Sequence, residues 1–197
     1  MTDLSEQLVD EVLVMECQRG NAKALDMLIS RWQKRLWCYV YRLTGRSEAA
    51  WEATQDAWLG IVRGIGRLQE PARFRSWAYR IATNKAHDWT RSNPRAPQEE
   101  ATGRAAGGNP DTAQSLEASI DLRAILRRLP DARRTVLTLY YLEGFGVAEM
   151  AAILRIPAGT VKSRLHTARG EFKTLWQSMS ETEGPQQTDK RKEHPNA

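Results

Sequence analysis

The fold of this chain is decided by one stretch, Gly146-Val-Ala-Glu-Met-Ala-Ala-Ile-Leu-Arg155, which continues as Ile156-Pro-Ala-Gly-Thr-Val-Lys-Ser-Arg-Leu165. Apolar residues recur at helical spacing as far as Leu154, stop at the turn around Pro157, and then begin again. We therefore predict a short helix over residues 147–154 and a longer one over residues 158–177. This arrangement is a helix-turn-helix, which binds DNA through its second helix.

The second helix of this motif has two different faces. Its apolar stripe, at steps of four and three residues, consists of Val161, Leu165, Ala168, Phe172 and Leu175. The residues left facing outward are Gly159, Lys162, Ser163, His166, Thr167 and Arg169. Short side chains let the backbone approach a groove, while Lys162 and Arg169 can reach phosphates or guanine edges. The alternative is an ordinary helical hairpin with a solvated basic face.

Helical periodicity extends over most of the remaining chain. In the first half we predict helices over residues 5–19, 21–44, 47–64 and 72–91, with Gly45 as a C-terminal stop. In the second half we predict helices over residues 122–129, ended by Pro130, and 136–142, ended by Gly144. Because no alternating strand pattern appears between turn residues, the sequence predicts an all-α fold.

Charge is distributed unevenly along the 197 residues, although the net charge is only +5. Residues 1–95 carry 15 basic and 11 acidic groups (+4), and residues 96–116 carry 1 and 3 (−2). Residues 117–178 carry 10 and 6 (+4), and residues 179–197 carry 3 and 4 (−1). Two basic blocks joined by an acidic segment indicate two surfaces that meet a polyanion, most simply nucleic acid. The alternative is a mildly basic, solvated protein.

These segments define the predicted domains. Residues 1–95 and 117–178 form two helical domains, residues 96–116 a linker rich in Pro, Gly, Gln and Glu, and residues 179–197 a disordered tail. No apolar run approaches the roughly 18 residues that cross a bilayer, and no secretory signal is present, so we expect a cytoplasmic protein without membrane insertion. Cys17 and Cys38 are expected to be small buried thiols. The three histidines lack metal-like spacing, and we expect no metal, no cofactor and no enzymatic activity.

The predicted helix from residue 72 combines basic and aromatic side chains. One face carries Arg73, Trp77, Arg80, Asn84, His87 and Arg91, and the opposite face carries the apolar Phe74, Ala78, Ile81 and Ala82. Arginines hold a phosphate backbone, aromatic rings stack on unpaired bases, and an amide can contact a base edge. This face therefore suits single-stranded DNA, the alternative being a solvated face with Trp77 in the core.

The helix from residue 47 carries an acidic stripe. Glu48, Glu52 and Asp56 lie at four-residue steps, with no Lys or Arg four residues from any of them. Like charges at this spacing cost about 0.2–0.5 kcal/mol per pair in an isolated helix, so the stripe indicates a basic protein partner or else a solvated acidic face. Thr54 lies within the stripe and is either a phosphorylation site that would strengthen this charge or a residue that packs inward.

Taken together and in this order, the motifs resemble the sigma factors of bacterial RNA polymerase, in particular the small two-domain extracytoplasmic-function group. Gln18-Arg-Gly-Asn-Ala22 and Glu52-Ala-Thr-Gln-Asp-Ala-Trp-Leu59 resemble the regions called 2.1 and 2.2. Arg73-Phe-Arg-Ser-Trp-Ala-Tyr-Arg-Ile-Ala-Thr-Asn84 resembles regions 2.3 and 2.4. Gly159-Thr-Val-Lys-Ser-Arg-Leu165 resembles region 4. The resemblance implies a transcription initiation factor that binds core RNA polymerase and helps to melt promoter DNA.

The resemblance also implies a role for each surface. Four residues of the helix from residue 47 would contact the β′ clamp helices of core polymerase: Glu48, Glu52, Gln55 and Asp56. The β subunit of core polymerase is a further expected partner. The residues that would bind the minus-ten DNA element are Arg73, Trp77, Arg80, Asn84 and Arg91. Those that would bind the minus-thirty-five element as duplex are Gly159, Thr160, Lys162, Ser163, His166 and Arg169. An anti-sigma factor is a further possible partner.

Four positions depart from the pattern of these factors. Trp51 takes the place of an acidic residue beside Glu52, Thr167 replaces a frequent arginine, and Gly146 replaces a Ser or Thr at the start of a helix. Arg155 occupies a turn position that is usually glycine. The other interpretation of the whole chain is a dimeric helix-turn-helix repressor or activator that acts without core polymerase.

Overall fold

The computed structural model describes residues 4–93 and 122–182, and every regular element within these ranges is helical. The helices are α1 (Leu4–Gln18), α2 (Ala22–Thr44), α3 (Ser47–Gly64), α4 (Phe74–Ser92), α5 (122–128), α6 (Asp131–Leu137), α7 (Val147–Leu154) and α8 (Ala158–Thr182). Short 3-10 turns at Ile65–Arg67 and Pro71–Arg73 join α3 to α4. The π-helical segment Thr138–Leu142 continues α6. The predicted all-α fold is confirmed.

The first domain consists of α1–α4, and its core is built on aromatic rings. Trp32 of α2 is 1% exposed and makes edge-to-face contacts with Phe74 at 5.5 Å and Tyr79 at 6.3 Å between ring centroids. Tyr39 packs on Tyr79 at 4.8 Å, and its hydroxyl is hydrogen-bonded to Thr83. Such ring pairs contribute about 0.5–1.5 kcal/mol each beyond the burial of their area. Because Phe74 and Tyr79 belong to α4, this packing fixes the predicted DNA-binding helix against α2.

Local signals in the sequence account for the ends of α2. The Asn21 side chain accepts hydrogen bonds from the backbone N–H groups of Lys23 and Ala24, which caps the N-terminus. At the other end Gly45 adopts φ 71°, ψ 7°, and its N–H donates to the carbonyl of Tyr41. A left-handed residue at this position favours glycine, as predicted.

The second domain consists of α5–α8. Val161, Leu165 and Ala168 of α8 are buried, and Phe172 and Leu175 pack against the same core, so the predicted apolar stripe is confirmed. Helix α7 has the predicted bounds. Helix α6 begins at Asp131, five residues before the predicted start, because Pro130 is the N-cap of α6 as well as the residue that stops the preceding helix.

The last helix is longer than predicted. Helix α8 continues to Thr182, past residue 177 and past the boundary at residue 178. The predicted linker over residues 96–116 and most of the predicted tail lie outside the described residues.

Candidate polymerase-binding and DNA-binding surfaces

Helix α8 presents the predicted outward face to solvent. Gly159, Lys162, Ser163 and His166 are exposed, and Thr160 is half-buried. The Ser163 hydroxyl donates to the Thr160 carbonyl at 3.0 Å, and the Thr167 hydroxyl donates to the Ser163 carbonyl at 3.1 Å. Both short side chains therefore lie against their own helix, which leaves Lys162, His166 and Arg169 as the longest groups on this face.

Arg169 is exposed but does not extend freely from α8. Its Nε donates to the hydroxyl of Tyr141 at 2.7 Å, and its guanidinium lies 5.4 Å and 5.6 Å from the ring centroids of Tyr140 and Tyr141. This cation–π arrangement attaches Arg169 to the π-helical segment. Unlike Ser163, which bonds to its own helix, Arg169 has partners in another segment of the protein.

The turn between α7 and α8 has the strained backbone expected of a non-glycine residue. Arg155 adopts φ 53°, ψ 45°, a left-handed conformation that costs an L-residue about 1–2 kcal/mol. At the start of α7 the Glu149 side chain accepts a hydrogen bond from the Gly146 N–H at 2.8 Å. Glu149 thus supplies part of the capping that a Ser or Thr at Gly146 would provide.

The predicted DNA face of α4 is divided by burial. Arg73, Asn84 and Arg91 are exposed, and Trp77 and Arg80 are half-buried. Arg73 pairs with Glu70 at 2.6 Å, and Arg91 pairs with Asp88. The Trp77 ring covers Gly64 so closely that a Cβ atom there would lie 2.9 Å from it. The Trp77 ring therefore packs against the core while remaining partly exposed, and its role in DNA binding stays a prediction.

The two domains pack against each other through this same helix, with α4 contacting α7. A cavity of about 440 Å³ lies between the domains, lined by Arg67, Trp77 and Arg80 on one side and Ala152 and Ile153 on the other. Burial lowers the pKa of the Arg80 guanidinium, and the charge of Arg155 in the second domain lowers it further. Arg80 thus faces the second domain.

His87 is also directed toward the second domain and not to solvent. Its Nε2 lies 2.9 Å from the hydroxyl of Thr135 in α6. Burial lowers the pKa of His87, an effect that Asp131 partly opposes. The prediction that His87 belongs to the outward basic face is therefore wrong, because α6 covers that part of α4.

Glu143 holds the domains together, and sequence reasoning did not identify it. Its carboxylate side chain is only 11% exposed and accepts hydrogen bonds from Arg42 at 2.7 Å and from the Tyr79 hydroxyl at 2.5 Å. Arg75 donates to the Glu143 backbone carbonyl, and its guanidinium lies 3.9 Å from the ring centroid of Phe145. We call this group of contacts the Glu143 socket. The partners come from distant parts of the chain, so no local spacing could have revealed it.

The acidic residues of α3 lie on one exposed face, as predicted, but they have partners from other segments. Lys85 of α4 pairs with Asp56 at 3.4 Å, and the Trp89 indole N–H donates to Glu52 at 2.8 Å. Arg46 lies 3.5 Å from Glu48. The interpretation of the stripe as uncompensated is therefore wrong at the tertiary level, because it considered only neighbours within the helix. All of these contacts are solvent-exposed, and exposed pairs contribute about 0–1 kcal/mol, which leaves the carboxylates available to a partner.

Thr54 does not belong to this exposed face. It is fully buried, and its hydroxyl has no hydrogen-bond partner among the described residues. The inward interpretation is therefore confirmed, and a phosphate at Thr54 would require α3 to leave its packing.

Comparison with known proteins matches each domain to a family. Residues 28–96 match Sigma-70 region 2, and residues 119–171 match Sigma-70, region 4. Among curated proteins, the ECF RNA polymerase sigma-E factor of Escherichia coli K12 is 34% identical over 182 residues, covering 84% of this chain and 93% of that protein. The sigma-E factor of Haemophilus influenzae is 31% identical over 179 residues, covering 84% of this chain and 94% of that protein.

Two solved structures share the fold. CnrH, in complex with the cytosolic domain of CnrY, has a TM-score of 0.66 at 23% identity, covering 86% of this chain and 98% of that one. The sigma factor RpoE of Bartonella quintana, in complex with the anti-sigma factor NepR, has a TM-score of 0.65 at 20% identity, covering 79% of this chain and 98% of that one.

The described residues contain neither a helix long and apolar enough to span a membrane nor a group of three or more side chains that could hold a metal ion. Region 2 and region 4 both match, in the order that the motifs predicted, and the relatives align over most of their length. The chain therefore belongs to the extracytoplasmic-function family of RNA polymerase sigma factors, non-enzymatic initiation factors that bind core polymerase and direct it to promoters.

Proposed function

We propose that the exposed face of α3 is the surface through which this sigma factor binds the β′ clamp helices of core polymerase. The observation that carries the proposal is the row of exposed acidic and amide side chains on a basic protein: Glu48, Glu52, Gln55 and Asp56. Their contacts with Arg46, Lys85 and Trp89 are exposed, and basic groups on a partner can compete for them. Complementary charge raises both association rate and specificity.

This assignment is tested by reversing charge on α3. Glu52→Lys is expected to weaken binding to core polymerase at least tenfold in a titration, because losing a close interfacial charge pair costs several kcal/mol. The matched control is Asp26→Lys on α2, an exposed carboxylate in the same domain. Unchanged core affinity for Glu52→Lys, with an unchanged unfolding midpoint, contradicts the assignment.

For DNA we propose two separate surfaces. The face of α4 that carries Arg73, Trp77, Arg80, Asn84 and Arg91 binds the minus-ten element and helps to melt it. Arg73 and Asn84 are exposed, and the half-buried Trp77 lies between them in the sequence at helical spacing. Stacking of an unpaired base on an aromatic ring contributes about 1–3 kcal/mol to binding.

The face of α8 binds the minus-thirty-five element as duplex. Lys162, Ser163 and His166 are exposed on the second helix of the motif, next to Gly159 and Thr160 at its N-terminal end. This is the part of a helix-turn-helix that enters the major groove. Arg169 is expected to contribute less than Lys162, because it is already bound to Tyr141.

A mobility shift with and without core polymerase separates this function from that of a dimeric repressor. A sigma factor with these surfaces retards promoter DNA only when core polymerase is present, whereas a repressor binds duplex DNA alone at two half-sites. Runoff transcription with sequencing of the start sites identifies the promoters.

We further propose that the chain acts in the cytoplasm, where polymerase and promoter DNA are present, and that an anti-sigma factor regulates it, as in the complex of RpoE with NepR.

A further inference from the structure

Three aromatic rings form a continuous cluster across α2 and α3. Trp37 and Tyr41 stack with centroids 5.2 Å apart and an interplanar angle of 8°. Trp51 lies 5.6 Å from Trp37 at an angle of 45°, and 49% of Trp51 is exposed. We call these three residues the aromatic cluster. Trp37 and Tyr41 are half-buried, so Trp51 is the most exposed ring of the cluster.

Polar side chains flank this exposed ring. Glu48 precedes Trp51 by three residues and Gln55 follows it by four, which makes both of them neighbours of the ring on the helix surface. The Glu48 side chain is 84% exposed, and Glu52 is exposed one residue after Trp51 on the same helix. An exposed indole face with a carboxylate beside it attracts a cation and repels phosphate, so the surface suits a basic protein segment and not DNA.

An arginine side chain can contact both the indole ring and the carboxylates of this surface. Its planar guanidinium stacks on an indole ring while its N–H groups donate to carboxylates, whereas a lysine ammonium is a point charge without a plane. Tryptophan and arginine are also the residues that most often dominate the binding energy of protein interfaces.

We infer that Trp51 is an aromatic anchor for an arginine of core polymerase. The ring provides a stacking contact in addition to the ion pairs made by Glu48 and Glu52. This inference rests on the proposed function of α3 as the core-binding face. It adds an apolar and cation–π component to a contact that the charges alone would make dependent on salt.

The other role open to Trp51 is to cover Trp37 and thereby stabilise the first domain. Both roles use the same ring, so the substitutions must separate the aromatic face, which would stack on arginine, from the apolar area, which would cover Trp37. Trp51→Phe keeps an aromatic face, Trp51→Leu keeps apolar area without one, and Trp51→Ala removes both. A purely covering role predicts that the Phe and Leu variants behave alike.

The experiment measures the affinity of each full-length variant for core polymerase, together with its thermal unfolding midpoint. We expect a loss of at least about tenfold for Trp51→Ala, a similar loss for Trp51→Leu, and a change within about threefold for Trp51→Phe. The control is Trp176→Ala in region 4, which removes a ring that is 43% exposed and stacked on Phe172. This control is expected to bind core polymerase within about twofold of the parent.

The outcomes distinguish this inference from the assignment on which it rests. If Glu52→Lys weakens core binding while Trp51→Ala does not, α3 remains the core-binding face and the aromatic anchor is overturned. If neither substitution changes the affinity, both proposals are overturned. Equal affinities of the Phe and Leu variants, or equal losses for Trp51→Ala and Trp176→Ala, also overturn the anchor.

Discussion

At the scale of the residue, backbone strain at Arg155 is a cost that a single substitution can remove. Arg155 has a positive φ, and its side chain is exposed. Because glycine adopts this conformation without a clash, Arg155→Gly is expected to raise the free energy of unfolding by about 1 kcal/mol. Urea denaturation measures this change.

The matched control reverses the substitution at another left-handed position. Gly144 has φ 71°, and a Cβ atom added there would meet nothing within 4 Å. Gly144→Ala is therefore expected to lower stability by about 1 kcal/mol through backbone strain alone. If both variants shift stability in the same direction, strain is not the cause.

Thr54 offers a second test at this scale. Its side chain is fully buried and its hydroxyl has no hydrogen-bond partner among the described residues, so removing that hydroxyl costs little. Thr54→Ala is expected to retain transcription and to lose about 1 kcal/mol of stability, because it also removes a buried methyl group. Thr54→Glu places a charge in the core and unfolds the domain. Circular dichroism and runoff transcription measure both effects. Full activity of the Glu variant would contradict the buried position.

At the scale of the element, the two proposed DNA surfaces can be separated by function. Lys162→Ala on α8 is expected to impair capture of duplex promoter DNA. Trp77→Ala on α4 is expected to impair opening of a promoter that is already bound, since a base loses about 1–3 kcal/mol with its stacking ring. Mobility shift measures capture, and permanganate footprinting measures melting. Because Trp77 also packs on Gly64, Trp77→Leu serves as the control, since it keeps apolar packing without a stacking ring.

The elements were predictable from the sequence wherever their determinants are local. The bounds of α7 and the stop at Gly45 follow from apolar spacing, from the turn residues around Pro157, and from a glycine that the left-handed conformation favours. The predicted start of α6 lies too far along the chain, because the periodic apolar run begins only at Val136 while the helix begins directly after Pro130.

The candidate site was less predictable where tertiary contacts decide it. His87 has the right spacing for the outward face of α4, yet Thr135 of another domain covers it. Likewise, the partners of Asp56 and Glu52 lie on α4, about thirty residues further along the chain. Helical periodicity shows which side chains share a face, but it does not show what packs against that face.

At the scale of the whole molecule, the Glu143 socket makes the arrangement of the domains testable. Glu143→Ala leaves the buried Tyr79 hydroxyl and the Arg42 guanidinium without their carboxylate, a loss of about 1–3 kcal/mol. We expect the domains to separate, which increases the radius of gyration in small-angle scattering. The control is Glu171→Ala, which removes an ion pair with Arg133 inside the second domain. An unchanged radius for Glu143→Ala shows that other contacts hold the domains together.

The contact between α4 and α7 has a consequence for promoter binding. Elements centred near positions −10 and −35 lie about 25 base pairs apart, or about 85 Å along B-form DNA at 3.4 Å per pair. If α4 binds the minus-ten element and α8 the minus-thirty-five element, as proposed, two domains that touch cannot occupy both elements at once. The contacts of the Glu143 socket must then break before both elements are bound. The apparent affinity for a promoter is then the intrinsic affinity multiplied by the fraction of molecules that are open, and every 1.4 kcal/mol of closed-state stability lowers it about tenfold.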